Sequence, residues 1–175
     1  MRNCCKYLIL LLLIALFACG EKNTKQQNHV SKSEMKNSME TANRYLLNEE
    51  EEDIANYIKR HGLEMASTGT GLRYQIMKQG SEKRIEKGEK VTLEYELHSI
   101  AGDLIYSSDK NGVKSFVVGE GGVESGLDEA MTYLHRGDVA KLIIPYHLAY
   151  GLHGDDNCIP EYATLVYSIK IIDNQ

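Results

Sequence analysis

Lys141–Tyr167 reads KLIIPYHLAYGLHGDDNCIPEYATLVY, a stretch whose two ends are apolar runs and whose middle is not. Val139 to Ile144 and Ala163 to Ile172 read as β-strands. Between them lie a Tyr-Gly pair (Tyr150, Gly151) and an Ile-Pro pair (Ile159, Pro160). Loops longer than about a dozen residues in a compact domain are mostly functional or disordered. This loop holds too many large apolar residues for disorder. It is expected to fold over an apolar pocket with a few polar groups at its rim.

Working upstream, Leu72, Tyr74 and Ile76 alternate with polar residues, as do Val91, Leu93, Tyr95 and Leu97. Period-two alternation marks half-buried strands. Ala101-Gly102-Asp103 reads as a turn before a short strand at Leu104-Ile105-Tyr106, and Ser115 to Val118 as a further strand. Leu127, Ala130, Met131 and Leu134 recur at helical spacing, and Gly137 stops that run. Many strands and one central helix predict an α+β fold, an antiparallel sheet wrapped around one short helix. No internal repeat is present.

Taken in chain order, these motifs resemble the FKBP-type peptidyl-prolyl cis-trans isomerases. The resemblance covers roughly residues 71–173. It rests on Val91-Thr92-Leu93-Glu94-Tyr95, Ser107-Ser108, Phe116-Val117-Val118-Gly119, Gly126 to Met131, Leu148-Ala149-Tyr150-Gly151, Ile159-Pro160 and Ala163 to Tyr167. It implies an FKBP-like fold and prolyl isomerisation. Tyr95, Val123, Ile159 and Tyr167 would line a proline slot, with Leu127 as its floor. Ile105 and Tyr106 would belong to the substrate-binding wall, and Glu124 would lend its backbone N–H. Tyr150, whose hydroxyl would hold a carbonyl beside the turning bond, and Ile159 are the residues implied in catalysis. Ordinary core or rim packing is the alternative for each, and for Tyr95 and Tyr167 it is an equal one.

That chemistry needs no nucleophile or metal. Amide resonance holds the bond planar behind a barrier of roughly 20 kcal/mol. A protein lowers it by binding the twisted state better than either planar one. The twisted carbonyl carries less negative charge, so a dry slot and a few fixed hydrogen bonds suffice. Consistently, the chain has no Gly-x-Ser-x-Gly, no phosphate loop and no Cys-x-x-Cys. His147, His153, Asp155, Asp156 and Cys158 match no standard metal spacing and read as a polar rim. No metal and no cofactor are expected. Departures from the family pattern accompany the resemblance: Leu127 replaces an aromatic floor, and Ile105-Tyr106 a Phe-Asp pair. Lys114 replaces a pocket aromatic and Glu124 an Ile, while Asp155 and Cys158 replace typical loop residues. They lead to the expectation of weak turnover on short Xaa-Pro peptides and low affinity for macrolide inhibitors.

The chain has 175 residues and a net charge of −5, which speaks against a nucleic-acid partner. Residues 1–18 read as a signal peptide, with Arg2 and Lys6 before an apolar run from Tyr7 to Phe17. Leu16-Phe17-Ala18-Cys19 resembles a bacterial lipobox, so Cys19 is the expected lipid attachment site. Cys4 and Cys5 would leave with the signal, so Cys158 alone would remain outside the acylated position. Residues 19–39 are polar and read as a flexible tether. Residues 40–66 read as a helical lead-in, capped at Asn48 ahead of the acidic run Glu49–Asp53, and residues 67–175 as the isomerase domain. This layout resembles the gliding-motility-associated isomerase lipoproteins. The implied protein is anchored by lipid to a bacterial cell envelope, faces the periplasm and acts on Xaa-Pro segments of exported proteins. A polypeptide-binding chaperone or an envelope-machine accessory with weak or no isomerase activity is the alternative. The lead-in helix is also the sort of element that would join a homodimer.

Overall fold

In the computed structural model, which describes residues 31–81 and 83–172, the alternating runs become strands of one sheet. Helix α1 spans Lys32–His61. It is followed by β1 (Ala66–Ser67), β2 (Arg73–Lys78), β3 (Lys90–Ser99) and β4 (Leu104–Ser107). Then come the one-turn helix α2 (Ser108–Asn111), β5 (Lys114–Val117) and the short helix α3 (Ser125–Met131). The chain closes with β6 (Val139–Ile144), a 3-10 turn at Tyr146–Leu148 and β7 (Leu165–Ile171). The sheet order is β1-β2-β6-β7-β3-β4, with β5 also paired to β3, and every pairing is antiparallel. The α+β expectation holds in this form.

Strand alternation sorts side chains between two faces. Val91, Leu93, Tyr95 and Leu97 of β3 face inward with Ala140, Leu142 and Ile144 of β6 and with Leu165, Tyr167, Ile169 and Ile171 of β7. The register sets Leu142 and Leu97 on either side of Tyr167, so the ring sits mid-sheet. Leu127, Ala130 and Met131 of α3 and the following Leu134 fill the concave side and are wholly buried. Leu134 lies past the end of α3, so the helical spacing ran one turn longer than the helix. Gly126 lets α3 approach β6: a Cβ there would run into Ile144 Cγ2 and the Leu148 backbone.

The other face of β6 and β7 is also covered. Ile143 and Val166, paired across the strands, pack with Ile54 and Tyr57 of α1 in a second apolar cluster. Glu50 fixes the helix there, its carboxylate accepting the Tyr146 N–H at 2.8 Å and the Thr164 hydroxyl. Arg73 reaches Glu51 at 2.6 Å. The lead-in therefore covers the sheet instead of standing clear of it.

Two compact units divide between Glu40 and Thr41. In the first, α1 begins well before the expected lead-in, and residues 32–39 of the expected tether are helical. The reason is a capping box at Ser31–Glu34. Glu34 accepts the Ser31 N–H at 2.9 Å, while the Ser31 hydroxyl accepts the Ser33 N–H at 3.3 Å. Asn48, expected to cap a helix starting at Glu49, lies inside α1. The signal peptide and Cys19 lie outside the described residues.

Ile54 is 1% exposed at the junction of α1 with the sheet. Ile54→Ala should lower unfolding free energy by about 2–4 kcal/mol in a urea titration. No change in midpoint would show that α1 does not pack on β6 and β7 in solution.

Candidate functional site

The site forms where α3 begins beneath β5 and β7, under the loop that follows β6. Tyr95 and Tyr167 stand side by side, their ring centroids 6.0 Å apart. Leu127 is buried beneath, Ile159 reaches in from the loop, and Ile105, Tyr106, Val123 and Tyr150 pack half-buried around them. All the residues that the resemblance assigns to the slot thus belong to one cluster.

The loop closes on itself through Asp155. Its carboxylate accepts the Ile159 N–H at 2.7 Å and the Asn157 N–H at 3.0 Å. The Asp155 N–H in turn donates to the Ile159 carbonyl at 3.1 Å. Gly154 has φ +72°, and a Cβ there would strike the Ile159 carbonyl oxygen. Across the cleft the Tyr106 hydroxyl donates to Asp155, and Asn157 Nδ2 donates to that hydroxyl at 2.9 Å. The Asp155 hydrogen bond pushes the Tyr106 phenol up to about 12. Burial would raise the Asp155 carboxyl, but the Tyr106 hydroxyl and the loop amides outweigh it and hold the group below its ordinary value. The acid missing before Ser107 is therefore supplied from the opposite side, by the loop. Of the other groups read as a polar rim, His147 Nε2 lies 2.9 Å from the Thr70 carbonyl oxygen, and Cys158 is exposed.

One charge lies in the middle of the cluster. The Glu124 side chain is only 2% exposed. It sits at the N-cap of α3, yet makes no side-chain cap; its carboxylate turns into the slot instead. Oε1 accepts the Tyr150 and Tyr167 hydroxyls, each at 2.7 Å. Lys114 Nζ donates to Oε1 and Oε2 at 3.2 and 3.3 Å, and to the Tyr167 hydroxyl at 3.2 Å. The same ammonium stands 5.4 Å from the Tyr95 ring centroid and 5.5 Å from that of Tyr167. Glu124's own backbone N–H also bears on its carboxylate. Burial by itself would raise the Glu124 carboxyl; the Lys114 charge and the two hydroxyls more than offset it and hold it below the ordinary 4.5. Burial and the bonds to Glu124 push the Tyr150 and Tyr167 phenols far up, so both stay protonated donors. The sequence reading gave Glu124 only a backbone role and treated Lys114 as a loss. The structure makes their side chains a pair.

A buried pair that loses one partner leaves the other uncompensated. Glu124→Gln should therefore destabilise the fold by about 1–3 kcal/mol at pH 7, since Lys114 keeps some solvent contact. Because the folded-state carboxyl titrates below its unfolded value, the wild-type advantage is complete above the ordinary 4.5 and disappears as pH falls through the lower folded value. Urea midpoints of both proteins between pH 7 and pH 3 read this directly. A gap that is already closed at pH 5.5 would contradict the assignment.

Comparison with known proteins follows this geometry. The family model for FKBP-type peptidyl-prolyl cis-trans isomerase matches residues 81–172, just over half of the chain. A probable FKBP-type isomerase, FkpA, of Neisseria meningitidis is 37% identical over 107 residues, covering 61% of this chain and 39% of that protein. The 22 kDa FKBP-type isomerase of Escherichia coli is 32% identical over 108 residues, covering 61% and 52%. The match therefore spans about half or less of these relatives' length. The crystal structure of AtFKBP13 superposes with a TM-score of 0.60 at 25% identity, over 64% of this chain and 99% of that one. With a matching model over most of the sheet and the slot residues gathered in one cluster, the chain belongs to the FKBP-type peptidyl-prolyl cis-trans isomerase family.

Proposed function

We propose that the protein is a peptidyl-prolyl cis-trans isomerase of modest turnover that acts on Xaa-Pro segments of exported polypeptides. The observation that carries this reading is the convergence of Tyr150, Ile159, Tyr95, Val123 and Tyr167 over a Leu127 floor. Apolar walls take the proline ring, and the water they exclude no longer favours the planar, more polar amide. The Tyr150 hydroxyl holds a substrate carbonyl next to the turning bond. In the structure that hydroxyl donates to Glu124. A substrate carbonyl must compete with a carboxylate, the stronger acceptor. Low turnover of short peptides follows from this competition as well as from the smaller floor.

The cellular setting rests on sequence. Cys19 in its lipobox-like context supports a lipid anchor in a bacterial envelope, facing the periplasm, in the manner of the gliding-motility-associated isomerase lipoproteins. No described helix is long and apolar enough to cross a membrane. Homodimerisation through α1 remains a proposal; the face of α1 at Ile54 and Tyr57 is taken by its own domain. The second reading, a polypeptide-binding chaperone or envelope-machine accessory, is favoured by one observation, the engagement of Tyr150 with Glu124.

Tyr150→Phe separates the two readings. Losing one oriented hydrogen bond of about 1–1.5 kcal/mol should lower kcat/KM on an Xaa-Pro peptide roughly five- to tenfold in an NMR exchange experiment. Unchanged exchange rates, with intact suppression of aggregation of an unfolded client, would favour the chaperone.

A further inference from the structure

The Lys114–Glu124 pair is not symmetric with respect to solvent. The Glu124 side chain is 2% exposed and that of Lys114 22%, so the pair turns its cationic end outward. The ammonium is fixed between two aromatic walls, over the rings of Tyr95 and Tyr167. An ammonium has three N–H donors. The two Glu124 oxygens, at 3.2 and 3.3 Å, can share one bifurcated N–H and the Tyr167 hydroxyl takes another, which leaves a third for an incoming group.

The chemistry of the turning bond decides which group that is. A planar amide carries partial negative charge on its oxygen, and twisting withdraws it. A cation held against the turning carbonyl stabilises the planar ground state and slows the reaction. A cation satisfied by a flanking carboxylate does not, and a carboxylate is the stronger acceptor. A lysine or arginine in that flanking place is instead repelled. Asp155, an acid of the loop, does not serve Lys114: its carboxylate is directed at Tyr106, Asn157 and Ile159.

We propose that Lys114 is a specificity-determining residue that selects Xaa-Pro segments with an aspartate or glutamate beside the proline. This rests on the isomerase reading and deepens it. Glu124 is the positioning residue that keeps the ammonium over the two rings and stays paired with it when a client binds.

The test uses four otherwise identical proline peptides whose flanking residues are Glu, Ala, Leu or Lys. Exchange NMR gives kcat/KM, and a chemical-shift titration gives Kd. For the wild type the Glu peptide should exceed the Leu peptide about fivefold in kcat/KM, with the Lys peptide lowest. The order should flatten as salt is raised from 0.05 to about 0.5 M. Lys114→Arg should keep the acidic preference. Lys114→Phe combined with Glu124→Ile removes both charges together, so neither is left buried alone. This double variant should reverse the ranking in favour of the Leu peptide, and its urea midpoint shows that it folds. Equal rates for Glu and Leu peptides in the wild type, or the same ranking in wild type and double variant, would overturn the proposal. Acid preference in Kd without any catalysed exchange would sink the isomerase reading and leave the selectivity standing. Exchange without acid preference would do the reverse.

Discussion

A carboxylate with almost no solvent contact must be compensated, and in this domain that requirement organises the site. Glu124 draws to itself the Tyr150 hydroxyl, the Tyr167 hydroxyl and the Lys114 ammonium, which come from the loop, from β7 and from β5. An isolated ionised carboxylate in a low-dielectric interior is prohibitively costly, so these partners are not interchangeable decoration. They fix which way the aromatic walls present their polar ends. The slot that a prolyl isomerase would keep apolar therefore contains a neutral but polar cluster. Its two hydroxyls and its cation already point at an anion.

This cluster explains how two departures from the family pattern, Lys114 and Glu124, coexist in one fold. Lysine or glutamate introduced alone would leave a charge unpaired; together they are neutral overall. Tyrosine at 167 adds a donor to the same carboxylate. Tyr106 and Asp155 form a second exchange of the same kind, with acid and hydroxyl contributed from the two sides of the cleft. The sheet beneath tolerates this because it is packed on both faces. Its inner face carries the core on α3, and Ile143 and Val166 bury their outer side under α1. The site is thus held by a frame packed on both faces, and Lys114, Glu124, Tyr106 and Asp155 set its polar chemistry.

Much of the frame is legible in the sequence because period-two alternation in β2, β3, β6 and β7 fixes which residues face inward. The candidate site residues were singled out for another reason: their order along the chain resembles a family pattern. The pairings among them were not. Glu124 lies 26 residues from Tyr150 and 43 from Tyr167, and no local spacing links such positions. The one available sign was compensation, a base at 114 and an acid at 124 both placed where apolar residues are usual. The start of α1 was missed because residues 32–39 lack an apolar period and read as a tether. Its signal was the four-residue capping box at Ser31–Glu34, which propensity alone does not reveal. The docking of α1 was half-visible: Ile54, Tyr57 and Ile58 share a face, but nothing local says that Ile143 and Val166 receive it.

The central claim is that the Glu124 carboxylate is ionised inside the slot and holds the Tyr150 hydroxyl. Side-chain carboxyl 13C NMR of the folded protein across acid pH tests it most directly. The account predicts that Glu124 titrates below the ordinary 4.5, and that a slowly exchanging Tyr150 hydroxyl proton disappears with that titration. A carboxyl that titrates at or above the ordinary value, with no protected hydroxyl proton, would contradict it.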